Sequence, residues 1–354
     1  MKRLIYIITH ALLLLLTSCG VHEWPEEEWY ADASVVLHLD FTTEMPLYTE
    51  IDYARNGEVH GSIGSHDIRY IVNVYRTDNK RAESRQPDTT VVVTKSSIFG
   101  LNHSIPLTLQ DGTYSFRIWT DYVDVGTTTD KYYKTDDFSE IILMDRYNHS
   151  GSNDYCDAFK GSEKEVVVSG GTAQEVVIGM KRPLGKFKFV STDVTGFLNR
   201  VIQLMQDRGF IMSENMEPFS KDFYEQFLQS INLNDYEVLI RYDAYMPCSF
   251  NMFTDKPADS WTGMSFKSRM YPEGDMEMVM GYDYIFVNGA ETTLAVSLEV
   301  YDRDGEKMSS TNSIMVPIVR SKLSVVRGEF LTAERAGGVT VNPGYDGDDY
   351  NVAI

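Results

Sequence analysis

The chain has 354 residues, with 32 Lys and Arg against 52 Asp and Glu, 43% hydrophobic residues and three cysteines. This length suffices for two ordinary domains, and the apolar content is enough to bury their cores, which excludes a mainly disordered chain. The formal charge of −20 repels phosphate backbones, so we expect no nucleic-acid partner. Three cysteines cannot build a disulfide framework in a chain of this size.

Residues 1–18 have the pattern of a lipoprotein signal peptide. Two basic residues precede an apolar run at residues 4–16, which is too short to span a bilayer. The run ends in Leu16-Thr17-Ser18-Cys19, which resembles the bacterial lipobox and predicts cleavage between Ser18 and Cys19. We therefore expect lipid attachment at Cys19 and a membrane anchor made of N-terminal acyl chains. An ordinary signal peptide followed by a chance cysteine is the alternative.

Residues 19–32 form an acidic tether. Glu23, Glu26, Glu27 and Glu28 lie close behind the predicted lipidated cysteine, and the mature chain carries a formal charge of −22. The cluster resembles the tag that sends Bacteroidetes lipoproteins to the cell surface, although a solvated tether is the simpler interpretation. We expect an outer-membrane lipoprotein exposed at the cell surface.

Hydrophobic periodicity then predicts a first β-sandwich domain over residues 33–179. Alternating apolar residues indicate strands at residues 35–41 and 68–74, followed by a β-branched run at 91–94. Asp111-Gly112 marks a turn before the strand that contains Phe116, and Gly170-Gly171 separates two further strands. Short strands joined by polar turns are typical of an antiparallel sandwich.

A second β-sandwich domain is predicted over residues 180–336. Its strand pattern is interrupted near 192–229, where apolar residues recur at helical spacing and predict a short helical insertion. Asn288-Gly289 and Asp304-Gly305 lie between later strands and predict hairpins. Residues 337–354 form a tail that either closes its own sheet or donates a strand to a partner.

No motif assigns a catalytic, cofactor-binding or metal-binding role to a residue. The histidines lack the spacing of zinc ligands, and Asp302-Arg303-Asp304-Gly305-Glu306 fits a hairpin turn better than a calcium loop. Cys156 and Cys248 are either bridged or buried as free thiols. We therefore expect no enzymatic activity, although a hydrolase with an unrecognised carboxylate pair stays an alternative.

Aromatic side chains provide the second functional hypothesis, a surface lipoprotein that binds glycans. Exposed rings stack on sugars, and the candidates are Trp119, Tyr122, Tyr132, Tyr133 and Trp261. Tyr and Trp residues on strands lie more often in a core or an interface, which is the competing interpretation.

Several segments, taken in order, resemble the two-domain fimbrillin-like lipoproteins of Bacteroidetes, a family of fimbrial anchor and accessory subunits. The segments are Gly112-Thr113-Tyr114-Ser115-Phe116-Arg117-Ile118-Trp119-Thr120-Asp121-Tyr122, Lys131-Tyr132-Tyr133, Asp157-Ala158-Phe159, Met180-Lys181-Arg182-Pro183-Leu184-Gly185-Lys186-Phe187, Val316-Pro317-Ile318-Val319-Arg320-Ser321-Lys322-Leu323 and Gly328-Glu329-Phe330-Leu331-Thr332.

The resemblance implies a mainly all-β chain of two tandem transthyretin-like sandwiches and a structural role in surface fimbriae. It implies other fimbrial subunits as partners, joined by β-strand addition. In polymerising relatives a protease removes the first strand, which here corresponds to residues 35–41. The nearest basic residue, Arg55, lies well downstream, so we expect this chain to keep the strand as an anchor, accessory or adhesin-like subunit.

Overall fold

The structure is a computed structural model that describes residues 34–41, 66–78, 85–170, 173–209, 220–274, 276–334, 342–344 and 350–353. Cys19, Glu23, Glu26, Glu27, Glu28 and the predicted cleavage position therefore lie outside the described residues. Within the described part, strands predominate and two α-helices are present. The mainly all-β class predicted from the sequence is confirmed.

The first half of the chain forms a sandwich of two sheets. Its strands are β1 (Val35–Phe41), β2 (His66–Arg76), β3 (Thr89–Ser96), β4 (His103–Leu107), β5 (Gly112–Asp124), β6 (Tyr133–Lys134), β7 (Ile141–Leu143), β8 (Phe159–Val168) and β9 (Gln174–Met180). One sheet has the order β4-β1-β9 and the other has the order β3-β2-β5-β8. Apolar residues at alternate positions of both sheets form one buried core, which includes Leu37, Val72 and Phe116.

The second half forms another sandwich. Its elements are β10 (Leu184–Ser191), α1 (Val194–Asp207), α2 (Lys221–Ser230), β11 (Glu237–Tyr242), β12 (Met246–Pro247), β13 (Ser249–Asn251), β14 (Lys256–Pro257), β15 (Ser260–Trp261), β16 (Ser265–Ser268), β17 (Tyr271–Glu273), β18 (Glu277–Phe286), β19 (Glu291–Tyr301), β20 (Lys307–Ser310), β21 (Ile314–Val319), β22 (Leu323–Gly328), β23 (Asn342–Gly344) and β24 (Tyr350–Ala353). One sheet has the order β17-β18-β10-β22-β24-β23, and the other contains β16-β11-β19-β20 with β21 also paired to β19.

The two helices lie where the period of the sequence changes, as predicted. In α1 the buried residues, among them Val194, Phe197 and Val201, recur at helical spacing and pack on the core of the second sandwich. In α2 the Ser220 side chain caps the helix by accepting a hydrogen bond of 3.1 Å from the Phe223 backbone N–H.

In each sandwich the first strand has a parallel partner from near the end of that half of the chain. β1 runs parallel to β9 from Val35 to Phe41, and β10 runs parallel to β22. Most other pairs are antiparallel, as the sequence predicted. The domain boundaries at residues 33, 180 and 336 stay predictions, because one small sheet, of order β14-β13-β7-β6, takes strands from both halves.

Of the two predicted hairpins in the second half, one forms. The strands on either side of Asp304-Gly305, β19 and β20, are antiparallel neighbours, and the Asp302 carbonyl accepts a hydrogen bond of 3.0 Å from the Gly305 N–H. The hairpin at Asn288-Gly289 was wrong, because β18 and β19 lie in different sheets. Gly289 has a φ of 73°, a conformation that glycine adopts readily in tight turns. Such a turn can form whether the flanking strands pair with each other or lie in different sheets.

Candidate functional site

β2 and β5 are buried on both faces, which an isolated sandwich does not require. Residues at even positions, such as Val72 and Phe116, point into the first core. On the opposite face, Ile71 and Trp119 belong to a second hydrophobic cluster, which also contains residues of the second half of the chain. This second face is covered by residues 125–158 and by the β13–β14 hairpin, and we call the contact surface the joint.

The joint corrects part of the aromatic prediction. Trp119 is 0% exposed, and its indole N–H donates to Asp121 over 3.2 Å. Tyr133 is equally buried and packs edge-on against Trp119, with ring centroids 5.4 Å apart. Neither ring can stack on a sugar in this structure. Tyr122, Tyr132 and Trp261 are partly buried.

An arginine on β2 holds the loop that follows β5. Arg69 forms a bidentate pair with Asp121, with N–O distances of 2.7 and 2.9 Å. The same guanidinium donates to Asp130 over 2.7 Å and to the Thr128 carbonyl over 2.8 Å, while Asp130 accepts from the Thr135 hydroxyl. Since buried charges are stable only when paired and hydrogen-bonded, this network fixes the path of residues 125–135.

Residues 149–157 are tied to the second sandwich by buried ion pairs. His149 Nε2 lies 2.5 Å from Asp283 Oδ2 on β18, and Tyr242 on β11 donates its hydroxyl to the same oxygen. Burial lowers the pKa of His149, but the attraction of Asp283 outweighs burial and leaves that pKa raised. The pair therefore favours the protonated form of His149 and links the loop to the sheet.

Two further cations at the start of the second half bind the same loop. Lys186 donates to Asp154 over 2.7 Å and lies 4.0 Å from the centre of the Tyr282 ring. Arg182 donates to Asp157 over 2.9 Å. The charged groups of this part of the joint are thus neutralised by partners from the other half of the chain.

The β13–β14 hairpin forms the other side of the joint. β13 pairs with β7, and the Arg117 guanidinium donates to the Met252 carbonyl over 3.0 Å. Phe253 packs between two residues of the first sandwich, 4.3 Å from the Arg117 guanidinium and 5.9 Å, edge-on, from Tyr75. The hairpin therefore inserts a ring into the outer face of the first sandwich.

Asp255, on the same hairpin, bridges cations from both halves. It lies 2.6 Å from Lys160 on β8 and 3.0 Å from Arg320, which follows β21. Burial raises the pKa of Asp255, but Lys160 and Arg320 outweigh this effect and lower it. The carboxylate is consequently ionised at neutral pH and links the two sandwiches.

Cys156 and Cys248 are both free and buried, and both belong to the cluster at the joint. Burial raises the pKa of Cys248 to about 12 and that of Cys156 well above its usual value. The thiols are therefore packing groups rather than nucleophiles at neutral pH.

The joint connects the two halves of the chain. Most of its charged groups form ion pairs, and the residues that the structure describes contain no group of three or more His, Cys, Asp or Glu side chains that could hold a metal ion. The sequence did not reveal the joint, because Arg69, Asn73 and Asp121 on its face are polar and no local pattern indicates that a distant segment buries them. The one signal was β2, whose second face carries Ile71 and Tyr75 among its polar residues.

Both ends of the described chain are strands within sheets. β1 is the central strand between β4 and β9, with Leu37 paired to Ile105 on one side and Val176 on the other. β24 pairs in parallel with β22, and β23 pairs with β24. In the described parts of the chain, no helix is long and apolar enough to cross a membrane.

A family model matches residues 32–354 and is described as a family of unknown function, DUF6562. The chain belongs to this family. A search of curated proteins finds no match.

Similar solved structures come from Bacteroidetes. They include a proposed cell adhesion protein from Bacteroides eggerthii, with 14% identity, 90% of this chain and 97% of that chain covered, and a TM-score of 0.40. A proposed adhesin from Bacteroides thetaiotaomicron has 12% identity, coverage of 78% and 79%, and a TM-score of 0.37. The fimbrial anchor protein Mfa2 from Porphyromonas gingivalis has 11% identity, coverage of 78% and 81%, and a TM-score of 0.34.

These proteins belong to the group that the sequence resembles, so the predicted resemblance is confirmed. Because the TM-scores are below 0.5, we draw no functional conclusion for this chain from the similarity.

Proposed function

We propose that the chain is a lipid-anchored structural protein of the cell surface, a fimbrial anchor, accessory or adhesin-like subunit that assembles through β-strands. The observation that carries this proposal is the position of the terminal strands. β1 fills the centre of a three-stranded sheet, and β24 extends a sheet from the end of the chain. Strands in such positions bind mainly through backbone hydrogen bonds, which a strand from another subunit can also supply.

The joint supports a structural role as well. A subunit at the base of a polymer must keep its attachment points in fixed relative positions. The buried pairs Arg182–Asp157 and His149–Asp283, together with the inserted Phe253 ring, hold the two sandwiches against each other. Two parts of the proposal, the lipid anchor at Cys19 and the acidic tether, rest on the sequence alone. The names of the similar solved structures agree with it, but the proposal does not depend on them.

Copurification from cells tests this function. A tagged full-length chain is expected to fractionate with the outer membrane and to retain a fimbrial polymer. The Cys19→Ser variant lacks the thiol that carries the lipid, so it should leave the membrane fraction and lose the polymer from that fraction. A chain that remains monomeric, together with unchanged fimbriae after deletion of its gene, would contradict the proposal.

Glycan binding is a second candidate, favoured by two aromatic side chains that the sequence did not single out. Tyr147 is 86% exposed and Tyr245 is 73% exposed. Asp145 accepts hydrogen bonds from the backbone N–H groups of Tyr147 and Asn148, which holds the Tyr147 ring outward on an ordered turn. Arg146 donates to the Thr262 carbonyl over 3.0 Å, linking this turn to the segment that follows β15.

A glycan array with the intact protein tests this candidate. We expect Tyr147→Ala and Tyr245→Ala each to weaken binding, because each removes a stacking surface. Phe99→Ala, at another exposed aromatic residue, serves as the control and should bind like the wild type. An array on which the wild type binds nothing, or both tyrosine variants bind normally, would reject the candidate.

A further inference from the structure

The first sandwich has one closed side and one open side. On the closed side, β8 and β9 follow each other in the chain, and an antiparallel bridge joins Lys160 to Lys181 at their far ends. On the open side, β3 ends one sheet and β4 ends the other. Among the residues that the structure describes, no strand pairs with the outer edge of either β3 or β4.

The edge strands of the first sandwich differ in the features that prevent a strand from pairing with a strand of another chain. Proline, charged side chains and bulges are the usual ones. β4 contains Pro106 at its fourth position. β8 carries Glu163, Lys164 and Glu165, and its register with β5 is broken by an irregularity. β3 has none of these features in its centre, and its eight residues pair with β2 in unbroken register.

The composition of β3 favours an added strand. Residues 89–94 are all Thr or Val, the β-branched residues that fit best in sheets. Val91 and Val93 pack only partly against the core of the first sandwich, and Val92, on the other face, is 43% exposed. A neighbouring strand at this edge would cover the remaining apolar surface of all three valines.

We propose that β3 is a self-association edge that pairs antiparallel with β3 of a second copy of this chain, with the two-fold axis at Val92. In this register Val91 of one copy faces Val93 of the other, and Thr90 faces Thr94. The two four-stranded sheets then form one continuous eight-stranded sheet.

The sequence of the strand identifies a second copy as the occupant, because residues 90–94 read Thr-Val-Val-Val-Thr and are symmetric about Val92, so that each faces a residue of its own kind. Lys95 is the only charged residue of β3, and in this register it faces Thr89 of the other copy, so no like charges meet. Asp88 of the other copy, just before its β3, faces Ser96, so its side chain lies on the opposite face of the sheet from Lys95. The strand is thus complementary to itself. The inference goes beyond the proposed function and does not depend on it.

Disulfide trapping in intact cells tests the inference on the full-length chain. Opposed residues of antiparallel strands have Cα atoms about 4.5 to 5.5 Å apart, within the range for a disulfide. Val92 lies opposite itself, so Val92→Cys should give a covalent dimer on a non-reducing gel in the oxidising cell envelope. Val177→Cys, on β9 and 65% exposed, is the matched control and should remain monomeric. The two native thiols of the described chain are buried and should not contribute.

The register provides an independent check. Thr90→Cys and Thr94→Cys should cross-link poorly as single variants, because each faces a threonine of the other copy. The double variant should cross-link several-fold more than either. Equal cross-linking by Val92→Cys and Val177→Cys, or no dimer from Val92→Cys, would overturn the proposal. So would a double variant that cross-links no better than its single variants.

Discussion

At the scale of single residues, the pair of His149 and Asp283 makes stability depend on pH. The pKa of His149 is raised in the folded chain because Asp283 stabilises its charged form. The pair therefore stabilises the fold fully below the unfolded pKa of about 6.5, and this contribution is lost as the pH rises through the folded pKa. The free energy of unfolding should include a term that falls over that range.

Urea unfolding at a series of pH values measures this term as the difference between the wild type and His149→Gln. The difference should be largest at low pH and shrink as the pH rises. His103→Gln is a control for which the pH dependence should have the opposite sign. Burial lowers the pKa of His103, so the contribution of His103 to the free energy of unfolding should be lost as the pH falls. A difference between the wild type and His149→Gln that is constant with pH would contradict the prediction, because it would mean that the pKa of His149 is the same in the folded and the unfolded chain.

At the scale of elements, the long strands and both helices could be predicted, because their apolar residues repeat with one period. β1 and β9 alternate cleanly, and α1 buries one face. β6, β7 and β12 to β15 could not be predicted, since each has only two or three residues, too few to show a period, and the pairing of β7 with β13 joins segments far apart in the chain. Asn288-Gly289 shows a related limit: its sequence specifies a turn but not the partners of the flanking strands.

The candidate site, too, could be predicted only in part. The lipid anchor at Cys19 follows from a local motif and could be predicted, and it stays a prediction because residue 19 lies outside the described part. The joint could not be predicted, because its polar groups are buried by a segment far away in the chain. Arg117 and Met252, for example, are 135 residues apart in the sequence and are joined by a hydrogen bond. For the same reason the sequence left Trp119 open between an exposed sugar-stacking ring and a core or interface residue, and the structure shows it buried.

At the scale of the whole molecule, the joint should make both sandwiches unfold together. Strand pairing between β7 and β13, the Phe253 insertion and the Lys160–Asp255–Arg320 bridge all connect the two halves. Domains with few mutual contacts melt separately, whereas domains that share buried surface melt as one unit. We therefore expect one calorimetric transition for the wild type.

The double variant Phe253→Ala and Asp255→Asn should split this transition into two. It removes the inserted ring and the bridging carboxylate but leaves the hydrophobic residues inside each sandwich in place. Loss of the partly buried Phe253 ring accounts for most of the effect, about 1 to 3 kcal/mol, because the Asp255 side chain is 50% exposed and solvent screens its ion pairs. This is enough to separate the midpoints of two coupled units by several degrees. The matched control is Phe99→Ala with Asp302→Asn, an exposed ring and a hairpin-turn acid outside the joint, which should preserve a single transition. Two transitions in the wild type, or one unsplit transition in the double variant, would show that the joint does not couple the sandwiches.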